Sequence, residues 1–135
     1  MSNKITDIEG IGPAYSTKLA EVGIHTVEEL LSKGASREGR NHLAQVTGLD
    51  EKRILKWVNM ADLFRIKGIA SQFAELLKAS GVSTVKELQH RRADHLREKL
   101  MEVNAEKNLT KAIPSLSTVE DFIEQAKNLS PVISH

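Results

Sequence analysis

The sequence contains few residues that could carry out catalysis, and they are not arranged as in known active sites. It has no cysteine, which excludes thiol catalysis, disulfides and zinc–thiolate sites. Of its five histidines, no two are four residues apart, the spacing at which one helix face presents two ligands to a metal ion. It also lacks a phosphate loop of the Walker type and an HExxH motif. We therefore expect a protein that is not an enzyme and that holds neither a metal ion nor a cofactor.

Basic residues are the other group that could do chemistry, by contacting a polyanion. They form three clusters: Arg91, Arg92, Arg97 and Lys99; Lys33, Arg37 and Arg40; and Lys52, Arg53 and Lys56. The alternative is that each cluster is an ordinary solvated helix face, because acidic residues such as Asp94 and Glu98 dilute it. The net charge is only +1, so any binding to nucleic acid would depend on a local patch.

The elements that must position these residues include a segment that occurs twice, at an offset of 58 residues. Residues 8–30 align with residues 66–88, and nine of the 23 positions are identical, where chance would give about one or two. Gly10 and Gly68 can supply the positive φ of a tight turn. Gly23 and Gly81 have the position of glycines that end a helix. The sequence therefore indicates an internal duplication built on glycine turns.

Apolar spacing and capping residues predict helices throughout and no strand. Thr26 with Glu29 and Thr84 with Glu87 are typical of capping boxes. The rings of Tyr15, Phe73 and Trp57 are expected to pack in the core. The predicted helices are about 13–22, one from Val27, one from Ser36 to Thr47, one after Asp50, about 71–80, one from Val85, Ala93–Val103, about Ala105–Ile113, and one from Ser117 to about Asn128.

Each copy of the repeat resembles the helix-hairpin-helix motif. The first reads Ile5-x-x-Ile8-x-Gly10-Ile11-Gly12-x-x-x-Ser16-x-x-Leu19, and the second reads Leu63-x-x-Ile66-x-Gly68-Ile69-Ala70-x-x-x-Ala74-x-x-Leu77. Over its whole length the chain resembles a bacterial family of tandem helix-hairpin-helix proteins known as a domain of unknown function. The phrases that carry this are residues 54–63, and Pro114-Ser115-Leu116 followed by Val119-Glu120-Asp121-Phe122.

The resemblance implies an all-α, SAM-like/helix-hairpin-helix architecture with two tandem units and packing helices. The halves would be residues 1–62 and 63–135, forming one compact unit. In this motif, the turn and the start of the next helix present backbone N–H groups to a nucleic-acid phosphate, as other helix N-termini do with anions. The residues implied as nucleic-acid-binding are Gly10, Ile11, Gly12, Ala14 and Lys18 in the first copy and Lys67, Gly68, Ala70 and Gln72 in the second, joined by Arg91 and Arg92 of the densest basic cluster.

The two copies depart unequally from the motif. Active hairpins often carry Lys or Arg after the second glycine, and here Pro13-Ala14 and Ser71-Gln72 stand there. Ala70 also places a Cβ where close approach of a phosphate favours none. The first turn is therefore the better candidate for contact with a phosphate, and the second for a structural role. The motif family can hold a monovalent ion at the hairpin, a point the sequence leaves open.

Two functional hypotheses follow. The first is sequence-independent binding of DNA through backbone phosphates at the turns. The second is a protein–protein interaction adaptor that keeps the fold as a scaffold and exposes an apolar patch near Phe122 and Ile123 or in the tail at residues 131–133. The sequence shows no signal peptide and no apolar run long enough for a membrane span, so a cytoplasmic monomer without membrane contact is expected.

Overall fold

A computed structural model describes residues 3–135, and the contacts within the chain define two units. Unit 1 comprises the described residues of Met1–Asp62 together with Val132–His135. Unit 2 comprises Leu63–Pro131. Both are built from helices. In the described part of the chain the only β-type pairing is an isolated antiparallel bridge between Lys4 and Thr26.

Unit 1 begins with a 3₁₀ turn, Ile5–Asp7, and contains four α-helices: α1 (Pro13–Ala20), α2 (Val27–Gly34), α3 (Arg37–Thr47) and α4 (Glu51–Leu63), the last of which ends one residue beyond the unit boundary. The capping box that the sequence predicts at α2 is confirmed. The Glu29 amide donates to Thr26 Oγ1 at 3.1 Å, and the Thr26 amide donates to Glu29 Oε1 at 3.0 Å. These two bonds satisfy N–H groups that a helix start otherwise leaves without partners.

The core of unit 1 is aliphatic around one tryptophan. Trp57 is 2% exposed, as its position on the apolar face of α4 predicts. Its ring meets the Tyr15 ring edge-on, with centroids 5.1 Å apart. The other fully buried side chains of this unit include Ile8, Leu19, Ile24, Leu30 and Ile54. The expectation that Tyr15 packs against the core is therefore confirmed.

Arg40 is a buried arginine that the sequence placed in a basic surface cluster. It is 2% exposed. Its guanidinium donates to the carbonyl oxygens of Gly34 at 2.8 Å, Ala35 at 3.0 Å and Ser134 at 2.6 Å. The Ser134 amide donates to the Ala35 oxygen at 2.9 Å, so the C-terminal segment is bound to the end of α2. Arg40 therefore stabilises unit 1 and is removed from the candidate polyanion contacts.

Unit 2 contains α5 (Ser71–Ala79), α6 (Val85–Gln89), α7 (Ala93–Lys107) and α8 (Leu116–Lys127). Helix α8 packs against both α6 and α7, and α7 also packs against α5. The Phe73 and Phe122 rings lie 5.5 Å apart, which confirms that Phe73 packs as Tyr15 does in unit 1. The other buried side chains include Leu76, Leu77, Leu88, Leu96 and Leu100.

The predicted break in α7 near residue 104 is wrong, and residues 108–115 are not helical. Helix α7 continues to Lys107 and ends at Asn108, whose φ of 51° is left-handed. The Asn104 side chain then binds the departing backbone, since its Oδ1 accepts from the amides of Leu109 at 2.8 Å and Thr110 at 2.9 Å. Asparagine side chains compete in this way for backbone groups and end helices.

Two expectations about α8 are also corrected. The residue that caps the helix lies two positions earlier than predicted, because Ser115 rather than Ser117 accepts from the Thr118 amide at 3.2 Å. Phe122 and Ile123 are each only 6% exposed. They form part of the core of unit 2, so the exposed apolar patch expected there is absent.

Two further properties concern residues 3–135 as a whole. No helix in this range combines the length and apolar character that crossing a bilayer requires. Nor does the range bring together three or more His, Asp or Glu side chains in a group that could hold a metal ion.

Candidate nucleic-acid interface

The first glycine turn lies in unit 1 between the 3₁₀ turn and α1. It is closed by a hydrogen bond from the Ile11 amide to the Ile8 oxygen at 3.1 Å. Gly10 has a φ of 95°, in the region that a residue with a Cβ adopts only with strain. Ile11 is 4% exposed and attaches the turn to the core, whereas Gly10 is exposed. The accessible surface of the turn is therefore largely backbone.

Helix α1 starts directly after this turn with several unpaired N–H groups. No side chain caps it at Gly12, and Pro13 has no N–H to donate. Its first helical hydrogen bond runs from the Ser16 amide to the Gly12 oxygen at 2.9 Å. Within the described residues, the amides of Gly10, Gly12 and Ala14 donate to no acceptor. Unpaired amides and the positive end of the helix dipole both favour an anion here.

A basic cluster on α4 faces the same turn. Gly10 lines a pocket of about 330 Å³ whose other lining residues are Asp50, Lys52, Arg53, Lys56 and Trp57. The guanidinium carbon of Arg53 lies 5.0 Å from the centroid of the Tyr15 ring. Because Tyr15 also contacts Trp57, Arg53 is held beside the turn by the core. Three cations therefore line the same pocket as Gly10, whereas Gly12 and Ala14 are not among its lining residues.

The second glycine turn, in unit 2, has nearly the same backbone. The Ile69 amide donates to the Ile66 oxygen at 3.2 Å, and Gly68 has a φ of 99°. The turn is nevertheless engaged by α8. The Lys67 amide donates to Gln125 Oε1 at 2.8 Å, and Gln125 Nε2 donates to the Lys67 oxygen at 3.1 Å.

The surroundings of Gly68 are also tighter and more apolar than those of Gly10. A Cβ on Gly68 would lie 2.9 Å from Phe122 Cε1, whereas one on Gly10 would meet nothing closer than 3.8 Å. Gly68 lines a pocket of about 690 Å³ in which Lys111 is the only charged residue among the described lining residues. The remaining lining residues are Ala70, Ser71, Gln72, Phe73, Thr110, Ala112, Ile113, Pro114, Thr118 and Phe122. One cation therefore lines the pocket at the second turn, whereas three line the pocket at the first.

A comparison with models of protein families shows which family the chain belongs to. The model of a family described as "Domain of unknown function (DUF4332)" matches residues 9–129, which include both turns and all eight α-helices. The chain belongs to this family. No match was found among curated proteins, and none among solved structures. Because the description of DUF4332 states no activity, the geometry of the site carries the functional argument.

Arg91 and Arg92 lie just before α7 in unit 2, and neither lines the pocket at Gly68. They line a pocket of about 500 Å³ together with Asp94, Glu120, Glu124 and Lys127, and with the apolar residues Ala93, Leu116 and Ile123. Arg92 forms an ion pair with Asp94 at 3.0 Å. The backbone N–H of His95, followed by the Arg92 guanidinium, lowers the pKa of Asp94. The carboxylates balance the cations in this pocket, so it offers a polyanion much less than the pocket at Gly10.

The remaining sequence-predicted residues are divided between the two units. Lys18 lies exposed in the last turn of α1, and it is not among the residues lining the pocket at Gly10. The structure adds Lys52, Arg53 and Lys56, which the sequence showed only as one basic cluster among three. No local signal in the sequence distinguishes this cluster, because its approach to Gly10 depends on how α4 packs in unit 1.

Proposed function

We propose that this DUF4332 chain binds nucleic acid through backbone phosphates at the first turn of unit 1, without reading base sequence and without catalysis. The observation that carries the proposal is the convergence of Gly10 with Lys52, Arg53 and Lys56 on one pocket. Backbone amides and cations are the groups that proteins use to contact phosphates, and such contacts position a protein without specifying bases. The proposed contacts include no side chain that recognises the edges of bases.

We also assign a fold to the repeat. Each unit is proposed to be a helix-hairpin-helix module, giving a tandem arrangement along the chain. Support comes from the two turns, whose closing hydrogen bonds are 3.1 and 3.2 Å and whose glycines have φ of 95° and 99° at equivalent repeat positions. The isoleucine that follows each glycine, Ile11 or Ile69, is buried, which is a further similarity between the two turns.

The two modules have different roles in this proposal. Both turns leave backbone amides without partners in the described residues, but only Gly10 of the first turn shares a pocket with three cations. The second turn is bonded by Gln125 and packed by Phe122. We assign binding to unit 1 and a structural role to the turn of unit 2.

The test is a titration of fluorescent DNA with the full chain at several salt concentrations. Duplexes of unrelated sequence should bind with equal affinity, with a dissociation constant of roughly 10⁻⁴ to 10⁻⁶ M. The logarithm of the affinity should fall with the logarithm of salt with a slope of about −2 to −3, as expected for two or three phosphate contacts. Absence of binding at low salt, or strong preference for one sequence, would contradict the proposal.

The alternative is a protein–protein interaction adaptor. Of the two places expected for its apolar patch, Phe122 and Ile123 are buried, whereas Val132 of the tail is 41% exposed. The largely apolar pocket at Gly68 is a second observation in its favour. A substitution there, Ala112→Asp, places a charge on an exposed lining residue. Loss of a reproducible binding partner in this variant, with DNA binding intact, would favour the adaptor.

A further inference from the structure

The pocket at Gly10 concentrates more positive charge than one backbone phosphate carries. Its lining residues include three cationic side chains, Lys52, Arg53 and Lys56, and one carboxylate, Asp50, so the net charge of the lining is +2. An internal phosphodiester carries one negative charge. A phosphate monoester at the end of a strand carries about −1.5 to −2 at pH 7. The charge of the pocket therefore matches a monoester better than a diester.

The position of these cations on α4 has an energetic cost unless an anion is bound. Lys52 and Arg53 lie in the first turn of the helix, where the helix dipole disfavours positive charge. Lys52 and Lys56 are four residues apart, and like charges at this spacing repel by about 0.2–0.5 kcal/mol. A doubly charged anion in the pocket relieves both effects. Asp50 and Glu51 at the start of α4 offset part of this cost, and an anion in the pocket would offset more of it.

The size of the pocket and the orientation of Arg53 also favour a phosphate monoester as the ligand. A volume of about 330 Å³ is at the lower end of pockets that hold a small ligand, roughly 300–1,000 Å³. It suits one terminal group rather than a length of strand. The guanidinium of Arg53 lies over the Tyr15 ring, and a planar guanidinium held in one orientation can bind two oxygens of the same phosphate.

We propose that the pocket at Gly10 binds the phosphate monoester at a nucleic-acid end, in preference to internal phosphodiesters. This inference rests on the proposed function and names the feature of DNA that the site selects. It requires no chemical step, since the phosphate is bound and released unchanged. Arg53 and the two lysines contact the phosphate oxygens, and Gly10 lets the backbone approach them.

The experiment uses the full chain and a DNA hairpin that has a single open end. Four versions of this DNA differ only at that end: 5′-hydroxyl, 5′-phosphate, 5′-methyl phosphate and 3′-phosphate. The methyl ester keeps the phosphorus but has the charge of a diester. We expect tighter binding to the 5′- or 3′-monoester by up to about fivefold, the most that one exposed ion pair contributes, and no gain with the methyl ester.

Two variants locate the effect. Lys56→Gln should bind hydroxyl and phosphate ends equally, whereas Lys107→Gln, an exposed lysine in the last turn of α7, should keep the preference. A preference that persists in Lys56→Gln would overturn the assignment to this pocket. Displacement of the phosphorylated DNA by a nucleoside monophosphate at equal concentration would assign the pocket to free nucleotides and overturn the preference for strand ends.

The same titrations distinguish failure of the preference for monoesters from failure of DNA binding itself. Equal binding to all four ends would overturn the preference for monoesters and leave sequence-independent binding in place. Absence of binding to every DNA at low salt would overturn both.

Discussion

Arg53 lies over the ring of Tyr15, with its guanidinium carbon 5.0 Å from the ring centroid. The Tyr15 ring meets the ring of buried Trp57 at 5.1 Å. An exposed cation beside the first turn is in this way attached to the core of unit 1 through two aromatic contacts. A cation–π contact at such a site contributes about 0.5–1 kcal/mol, which favours this orientation of the guanidinium by about two- to fivefold.

Replacing Arg53 should weaken DNA binding by removing one phosphate contact. We expect Arg53→Gln to lower the affinity for all sequences alike and to reduce the salt slope by about 1. The control is Arg92→Gln, which removes an exposed arginine that is paired with Asp94 in unit 2. Fluorescence anisotropy over a salt series measures both. An unchanged slope in Arg53→Gln, or an equal loss in Arg92→Gln, would contradict the placement of the contact.

The two turn glycines should differ in their tolerance of alanine. Gly10→Ala places a Cβ at a positive φ with space around it, and should lower the free energy of unfolding by about 1 kcal/mol. Gly68→Ala adds a Cβ 2.9 Å from Phe122 Cε1, and this overpacking should cost about 1–3 kcal/mol more. Urea unfolding of both variants measures the difference. Equal losses would show that α8 does not restrict the second turn.

Arg40 should contribute to stability rather than to binding. Arg40→Ala removes three hydrogen bonds to carbonyl oxygens, one of them to the buried Gly34 oxygen, which should lower the free energy of unfolding by about 3 kcal/mol. Arg37→Ala, on the exposed part of the same helix, should change it by less than about 0.5 kcal/mol. Chemical denaturation compares the two, and similar values for both would refute the role assigned to Arg40.

The capping carboxylate of α2 should make unit 1 sensitive to acid. The His25 amide donates to Glu29 Oε1 at 2.9 Å and lowers the pKa of Glu29 below its ordinary value of 4.5, and Thr26 adds to this. A lowered pKa in the folded state contributes stability above the ordinary pKa, and that stability is lost as the pH falls through the folded pKa. Glu29→Gln should therefore lose less stability than the wild type as the pH falls below 4.5 and through the lowered pKa of Glu29.

The control for this measurement is Glu21→Gln, which removes another carboxylate of unit 1. Thermal unfolding as a function of pH should give the wild-type profile for this control. An acid profile of Glu29→Gln identical to that of the wild type would show that the cap carries none of the pH dependence.

Local chemistry made much of the helical structure predictable. Capping residues act within one turn of their own position, and so Thr26 and Ser36 begin α2 and α3 where the sequence places them. The repeat predicted matching turns because a positive φ is required at both Gly10 and Gly68. The start of α8 was misplaced because Ser115 and Ser117 have equivalent capping chemistry, and only the backbone distinguishes them.

Contacts between distant parts of the chain were not predictable in the same way. Arg40 has the composition of a surface residue, and its burial depends on carbonyl groups up to 94 positions away. The approach of Lys52, Arg53 and Lys56 to Gly10 depends on how α4 packs in unit 1, which no local pattern specifies. For the same reason the sequence could not distinguish the cluster beside the first turn from the two others.

In the proposed function the first turn, and not the second, contacts phosphate. Gly12 and Ala70 occupy the same repeat position, both precede a helix with extended backbone, and a Cβ on Gly12 would meet nothing within 4 Å. Gly12→Glu and Ala70→Glu therefore make the same change of charge in equivalent places without crowding the first turn. Titration of one duplex with the wild type and both variants should show loss of binding in Gly12→Glu alone. Wild-type affinity in Gly12→Glu would contradict the claim, as would equal loss in both variants.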